Sequence, residues 1–153
     1  KTGVFDALLR PGRSRRELAM AAERAEALLK ASSGDIYEQR FRPAGTLAQA
    51  DRRRLEIARA LASQPRVLLL DEPSAGMDDR ETDALIEDIR KLRVDRPELS
   101  VIVIEHDMRL VSAFPDHVIC IDYGSRIAEA DFDTVRGDPR VQEAYLGKAA
   151  DHA

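Results

Sequence analysis

The residues best suited to chemistry stand at the ends of two apolar runs. Val67-Leu68-Leu69-Leu70 leads directly into Asp71, Glu72 and Pro73. A strand of this kind delivers its last side chains to the carboxyl edge of an open α/β sheet, where ligands bind. Neighbouring strand residues point to opposite sides, so Asp71 and Glu72 are expected to take different roles. In phosphoryl transfer one such carboxylate holds Mg²⁺, and a second polarises the attacking water. Two solvated acids closing a strand are the simpler alternative, and the pair alone does not decide between them. A second run, Val101-Ile102-Val103-Ile104, ends in Glu105-His106-Asp107. An imidazole titrates near neutrality and can donate to a phosphate oxygen, so His106 suits a sensor of a terminal phosphate. A strand-end histidine satisfied by backbone is the plainer reading of that residue taken alone. His117 and His152 have no comparable setting.

The elements that must position these residues follow from periodicity. Leu18, Ala21, Ala22, Ala25, Leu28 and Leu29 recur at three- and four-residue steps and predict a helix over 14–32, with its apolar stripe in the core. Ser14 and Glu17 have the spacing of a capping box for that helix. Residues 37–46 read as irregular, broken by Pro43 and Gly45. A second helix is expected over 51–63, with Leu55, Ala58, Leu61 and Ala62 buried and Gln64-Pro65 ending it. The runs at 67–70 and 101–104 read as strands buried on both faces. Between them a helix over 79–93 buries Leu85, Ile86, Ile89 and Leu92. A short helix at 107–114, a strand at 118–121, a turn at Tyr123-Gly124-Ser125, a weaker strand at 126–128 and a helix at 138–146 complete the pattern. Alternating strand and helix imply an α/β fold with a parallel sheet, preceded by a helical segment that contributes almost no strand.

Composition excludes several classes. The 153 residues are 44% hydrophobic and 34% charged, as in one globular domain rather than a disordered chain. A balance of 24 Lys+Arg against 28 Asp+Glu leaves −4, contrary to a protein that binds nucleic acid through phosphate contacts. There is no Trp and only 5% aromatic residues, so base-stacking platforms are scarce. The longest stretch free of Asp, Glu, Lys and Arg is Pro43 to Ala50, far short of the roughly 20 apolar residues that cross a bilayer. One cysteine, Cys120, excludes an internal disulfide and fits a reducing compartment. Arg13, Arg15 and Arg16, and likewise Arg52-Arg53-Arg54, read as solvated helix faces. The chain starts at Lys1 with nothing resembling a signal peptide, and a trimmed piece of a longer protein is expected.

Taken together, the motifs resemble the nucleotide-binding subunits of ATP-binding cassette transporters. Ser74-Ala75-Gly76-Met77-Asp78 is similar to the family's D-loop, Glu105-His106-Asp107 to its switch histidine, and Leu55 to Leu61 to the helix after its signature loop. The segments 103–108, 122–124, 127–129 and 138–147 look like the ATPases of branched-chain amino-acid importers. The resemblance implies a partial P-loop NTPase core behind a helical subdomain, with 1–50 as the helical part, 51–147 as the second half of the core and 148–153 as a tail. It implies Asp71 as the Mg²⁺-linked carboxylate, Glu72 as general base, His106 as γ-phosphate switch and Asp78 as the D-loop acid that meets the partner. It also implies ATP and Mg²⁺ as ligands, a second ATPase subunit and a membrane permease as partners, no nucleic acid, and a place on the cytoplasmic face of the membrane. Chromosome-maintenance ATPases of the same superfamily carry long coiled coils, and no sustained heptads occur here.

Two departures stand out. No Gly-x-x-x-x-Gly-Lys-Ser/Thr occurs, and the one Gly-Lys pair, Gly147-Lys148, has Gln142 and Ala149 where the pattern needs glycine and a hydroxyl. Activity of the chain by itself is therefore not expected. In the family a strand next to that loop lies mid-sheet, so the runs at 67–70 and 101–104 should lack neighbours and be exposed. The signature loop is altered to Leu47-Ala48-Gln49-Ala50-Asp51. Ala48 has no hydroxyl, Ala50 replaces a glycine, and Asp51 brings a negative charge towards an anion. One lost hydrogen bond to a charged group costs about 1.5–3 kcal/mol. A degenerate module that only binds permease or partner is the alternative to an ATPase portion.

Overall fold

A computed structural model describes residues 11–32 and 35–146. The chain divides into two compact units, Lys1–Ile104 and Glu105–Ala153.

The first unit begins with α1 (Pro11–Ala31). Proline is well suited to a first helical turn, since its missing N–H would have no intrahelical acceptor there. The expected capping box fails, because Ser14 lies inside the helix. The apolar stripe also fails as core: Leu18 is 70% exposed, and only towards the end are Leu28 and Leu29 half-buried, where α1 packs against α2 (Gln49–Ala62). A single 3₁₀ turn, Ala44–Thr46, falls in the segment read as irregular. In α2 the buried residues are Ala50, Arg54, Ala58 and Leu61. Arg54 thus corrects the reading of three solvated arginines, and its carboxylate partners explain why. Strand β1 (Val67–Asp71) pairs in parallel with β2 (Ser100–Ile104), with Leu69 beside Ile102 and Asp71 beside Ile104. Helix α3 (Asp79–Asp95) forms the crossover and puts Leu85, Ile86 and Ile89 into the core with Leu68 and Leu70.

Both strands were expected to be buried on two faces; β1 is buried on one, and β2 is half-buried on that face through Val101 and Val103. Leu68 and Leu70 point inward, whereas Val67, Leu69, Ile102 and Ile104 share the opposite face and are exposed, Leu69 at 70% and Ile104 at 63%. The sequence composes a strand for a sandwich between two layers, and the described residues cover one side.

The second unit holds α4 (Met108–Ala113), β3 (Val118–Asp122), β4 (Ser125–Ala130), α5 (Phe132–Gly137) and α6 (Pro139–Leu146). Sequence alternation placed β3 in the parallel sheet, but it forms an antiparallel hairpin with β4. The connection decides this: Tyr123 and Gly124 both have positive φ, 43° and 77°, as a two-residue type I′ turn requires, and such a turn folds the chain directly back. Helices α5 and α6 pack on the hairpin and bury Val135 and Val141. Asp131 caps α5 through the Thr134 N–H and hydroxyl, and Asp138 precedes α6 and binds the Arg140 backbone and guanidinium.

Two outcomes follow. The isolated 153-residue chain should bind a hydrophobic dye and self-associate through the Leu69–Ile102 face, and Leu69→Thr with Ile102→Thr should reduce both while far-UV circular dichroism is kept. Hydrogen bonds from Thr134 hold the Asp131 carboxyl below the usual range, and Arg140 does the same for Asp138. A depressed carboxylate pKa stabilises above the unfolded value, about 3.9, and that contribution is lost as pH falls through the folded value. Protection factors of the Val135 and Val141 amides should therefore fall below about pH 4, and less so once Asp131 and Asp138 are asparagine.

Candidate functional site

The acidic end of β1 is held by backbone bonds. Asp71 closes the strand on the exposed face, next to Leu69. Side-chain alternation stops there, because Glu72 has left-handed backbone geometry with φ 41°. Its N–H donates to the Ile104 carbonyl at 2.9 Å, and its own carbonyl accepts from the Ala75 N–H at 3.1 Å. Pro73 and Ser74 are buried, Met77 N–H closes on the Ser74 carbonyl at 3.0 Å, and Gly76 takes φ 75°. The carboxylates of Asp71 and Glu72 thus sit on residues of different backbone geometry. Asp78 caps α3 in a capping box: its carboxylate accepts from the Glu81 N–H at 2.9 Å, and its N–H donates to the Glu81 carboxylate at 3.0 Å. The Asp-x-x-Glu spacing at 78–81 was the available signal for that cap.

The candidate loop Leu47-Ala48-Gln49-Ala50-Asp51 runs into the first turn of α2. Ala48 is the N-cap and offers no side-chain oxygen to the helix, while Ala50 is buried. Gln49 reaches across to the loop after β1, and its Nε2 donates to the Ala75 carbonyl at 2.9 Å. So the structure brings this segment together with residues 72–76. One turn along α2, the Arg53 guanidinium donates to the Glu72 carbonyl at 3.3 Å and pairs with Glu56 at 2.9 Å.

Asp51 does not present a bare charge. Its Oδ1 accepts from Arg54 Nη1 at 3.2 Å, and its Oδ2 accepts from Gln39 Nε2 at 3.0 Å. Arg54 also donates through Nε to Asp88 of α3 at 3.2 Å, with side-chain exposures of only 9% for Arg54 and 14% for each aspartate. Asp51 is thus paired inside the first unit, while two carboxylates around one guanidinium keep the cluster net negative. Asp88 lies 34 residues from Arg54, and no local sequence signal could have paired them.

His106 belongs to the second unit. Its ring is 71% exposed, whereas the Glu105 side chain is 1% exposed and folds back to accept from the His106 and Asp107 N–H groups at 3.0 and 3.3 Å. Asp107 caps α4, and the Tyr145 hydroxyl of α6 donates to the His106 carbonyl. The backbone around the histidine is thus fixed from two sides, and its largely exposed ring has Nδ1 3.8 Å from the Glu105 carboxylate. Neither Glu105 nor Tyr145 was singled out from sequence.

Mg²⁺ prefers octahedral oxygen ligands and is usually held by one or two carboxylates plus phosphate oxygens and water. Among the described residues no group of three or more His, Cys, Asp or Glu converges. Asp71, exposed at the strand end, fits as a single oxygen ligand to an ion whose other ligands come with a nucleotide.

Comparison with known proteins meets this geometry. The model for ABC transporters matches residues 3–75, and that for the branched-chain amino acid ATP-binding cassette transporter matches 125–151. The high-affinity branched-chain amino acid transport ATP-binding protein LivG of Escherichia coli (strain K12) is 40% identical over 149 residues, 97% of this chain and 57% of LivG. The chain belongs to the ATP-binding cassette transporter family. BraF of Pseudomonas aeruginosa, carrying the same functional description, is 47% identical over 115 residues, 75% of this cassette chain and 45% of BraF. Among solved structures, an ATP-binding cassette of an ABC transporter in its ADP conformation superposes with TM-score 0.73 and 27% identity, over 84% of this chain and 51% of that one. The cassette chain therefore matches about half the length of these relatives. Members of this family generally use ATP and Mg²⁺ and work as paired subunits on a membrane permease. Among the described residues no helix of the cassette chain is long and apolar enough to cross a membrane.

The Asp51–Arg54–Asp88 cluster gives a stability test. Removing one member of a buried ion network leaves charge without compensation and costs about 3–5 kcal/mol. Arg54→Ala should lower the denaturant midpoint accordingly. A Gln39→Ala substitution removes one neutral-donor bond and should cost about 1 kcal/mol.

Proposed function

We propose that this chain is the C-terminal portion of the ATP-hydrolysing subunit of an importer, of the kind that takes up branched-chain amino acids and drives a membrane permease. In this reading residues 1–50 are the helical subdomain and 51–147 the second half of the catalytic core. One observation carries the catalytic part: a glutamate held in left-handed geometry immediately after an aspartate that ends a parallel strand. Non-glycine residues in that conformation cost about 1–3 kcal/mol and concentrate at functional sites. Lengths and motifs agree, since the chain spans 57% of LivG and lacks a phosphate-loop motif.

Each residue then has a task. Glu72 takes the proton of the attacking water as general base. Asp71 contributes one oxygen to Mg²⁺, which offsets phosphate charge when bound. His106, its backbone held by Glu105 and Tyr145, donates from an exposed ring to the γ-phosphate. Residues 47–51 begin α2, whose first N–H groups carry no side-chain cap and can meet an anion held by a second subunit. Asp78 shapes the D-loop that meets that subunit, on the inner face of the membrane. No nucleic acid takes part. A non-catalytic module that only binds partner or permease is the competing reading, favoured by the missing phosphate-loop motif.

Turnover separates the two. In the full-length subunit Glu72→Gln should cut ATP hydrolysis about 10²- to 10⁴-fold, the range of a lost general base, while Mg-ATP binding persists. Unchanged hydrolysis in Glu72→Gln would refute the assignment. The 153-residue chain alone should show no Mg-ATP affinity tighter than about millimolar, and micromolar binding in calorimetry would contradict the argument from the missing loop.

A further inference from the structure

Two side chains from one face of α2 grip the loop that carries Glu72. Gln49 and Arg53 are four residues apart, one helical turn, and so lie above one another. Gln49 Nε2 donates to the Ala75 carbonyl at 2.9 Å, and Arg53 Nη2 to the Glu72 carbonyl at 3.3 Å. Those carbonyls bracket the tight turn in which the Ala75 N–H closes on Glu72. The fit at the far end is close. A Cβ built on Gly76 would stand 2.7 Å from Gln49 Nε2, so any side chain at 76 would push the amide from its present place. Gly76 also has φ 75°, which glycine adopts without strain.

The Arg53 end is held in turn. The Arg53 side chain is 30% exposed and its guanidinium is braced by Glu56 at 2.9 Å. Arg54, the next residue, is locked to Asp51 and Asp88, so α2 itself has a set rotation relative to α3. Glu72 keeps a strained backbone, and its N–H is tied to Ile104 on β2. The position of its carboxylate therefore follows whatever holds its carbonyl, and one of those holders is on α2.

We infer that Gln49 and Arg53 are positioning residues that make α2 a lever on Glu72, so that movement of the helix start is transmitted to the general base through the Ala75 and Glu72 carbonyls. The inference rests on Glu72 being that base. It gives the Gln49 side chain a duty inside its own subunit. Displacement of a reacting group by about 1 Å can cost on the order of 10² in rate, so two weak bonds suffice to control turnover.

The test uses the full-length subunit, with two readouts. Hydrogen exchange without nucleotide reads the grip itself: Gln49→Ala with Arg53→Ala should speed exchange of the Ala75 and Met77 amides about tenfold or more, while Leu85 and Ile89 in α3 keep their protection. Unchanged exchange at Ala75 and Met77 overturns the inference whatever the role of Glu72. Steady-state hydrolysis reads the consequence: each single variant should lower kcat about tenfold with KM for ATP within about twofold. Wild-type kcat in both, in a protein where Glu72→Gln is inactive, overturns the inference and leaves the functional assignment standing. Wild-type kcat in Glu72→Gln itself defeats the assignment instead, and the exchange readout still judges the grip. Conservative variants decide where an alanine variant does not fold. Arg53→Lys keeps a donor and should retain slow exchange and most of the turnover. Gln49→Glu keeps the shape without the donor and should behave as the alanine variant, and wild-type behaviour in Gln49→Glu overturns the inference.

Discussion

Everything at the candidate site depends on a left-handed backbone at one glutamate. L-residues avoid that region because Cβ crowds the following carbonyl, so the conformation persists only where surrounding bonds over-determine it. Here the constraint comes from three directions: the Ile104 carbonyl below, the Ala75 amide ahead and the Arg53 guanidinium from the neighbouring helix. The parallel ladder supplies the first of these. Asp71 registers with Ile104, so the Glu72 N–H arrives one step beyond the strand at the last carbonyl of β2. A ladder slipped by one residue would remove that bond and turn Asp71 to the buried face.

The second constraint is electrostatic. Burying Arg54 between Asp51 and Asp88 brings a cation and two carboxylates out of water, which is costly unless their geometry is good. What the arrangement gives in return is orientation. Hydrophobic contacts between α2 and α3 would tolerate rotation, whereas a guanidinium serving two carboxylates on two helices does not. Asp51 is thereby a part of the scaffold, with Gln39 completing its bonding.

Much of the fold was legible in the chain because it is written in short-range periodicity. Strands β1 and β2, helices α2, α3 and α6, and the turn at Tyr123-Gly124 all fall where apolar spacing and turn residues put them. The acids at 71 and 72 and the histidine at 106 announced themselves by following apolar runs. What escaped was non-local or conformational. An arginine among three arginines gives no sign that it pairs with an aspartate 34 residues away. Ser14-x-x-Glu17 has a cap's spacing but lies within a helix that Pro11 starts. The leucines and alanines of α1 have the periodicity of a core helix, yet most of that face meets solvent, since amphipathic spacing does not say what will cover it. The same holds for β1 and β2, whose composition anticipates a second layer. Strand β3 was assigned to the wrong sheet because alternation was followed past a turn whose geometry reverses the chain.

That turn has a chemical corollary of its own. Gly124 sits at φ 77°, and nothing lies within 4 Å of where its side chain would project. Handedness, rather than room, is thus the sole objection to a larger residue there, and mirror-image amino acids have the opposite preference. In a chemically synthesised hairpin a D-alanine at this position would occupy open solvent, adopt the required angle by default, and restrict the unfolded ensemble where glycine leaves it loose.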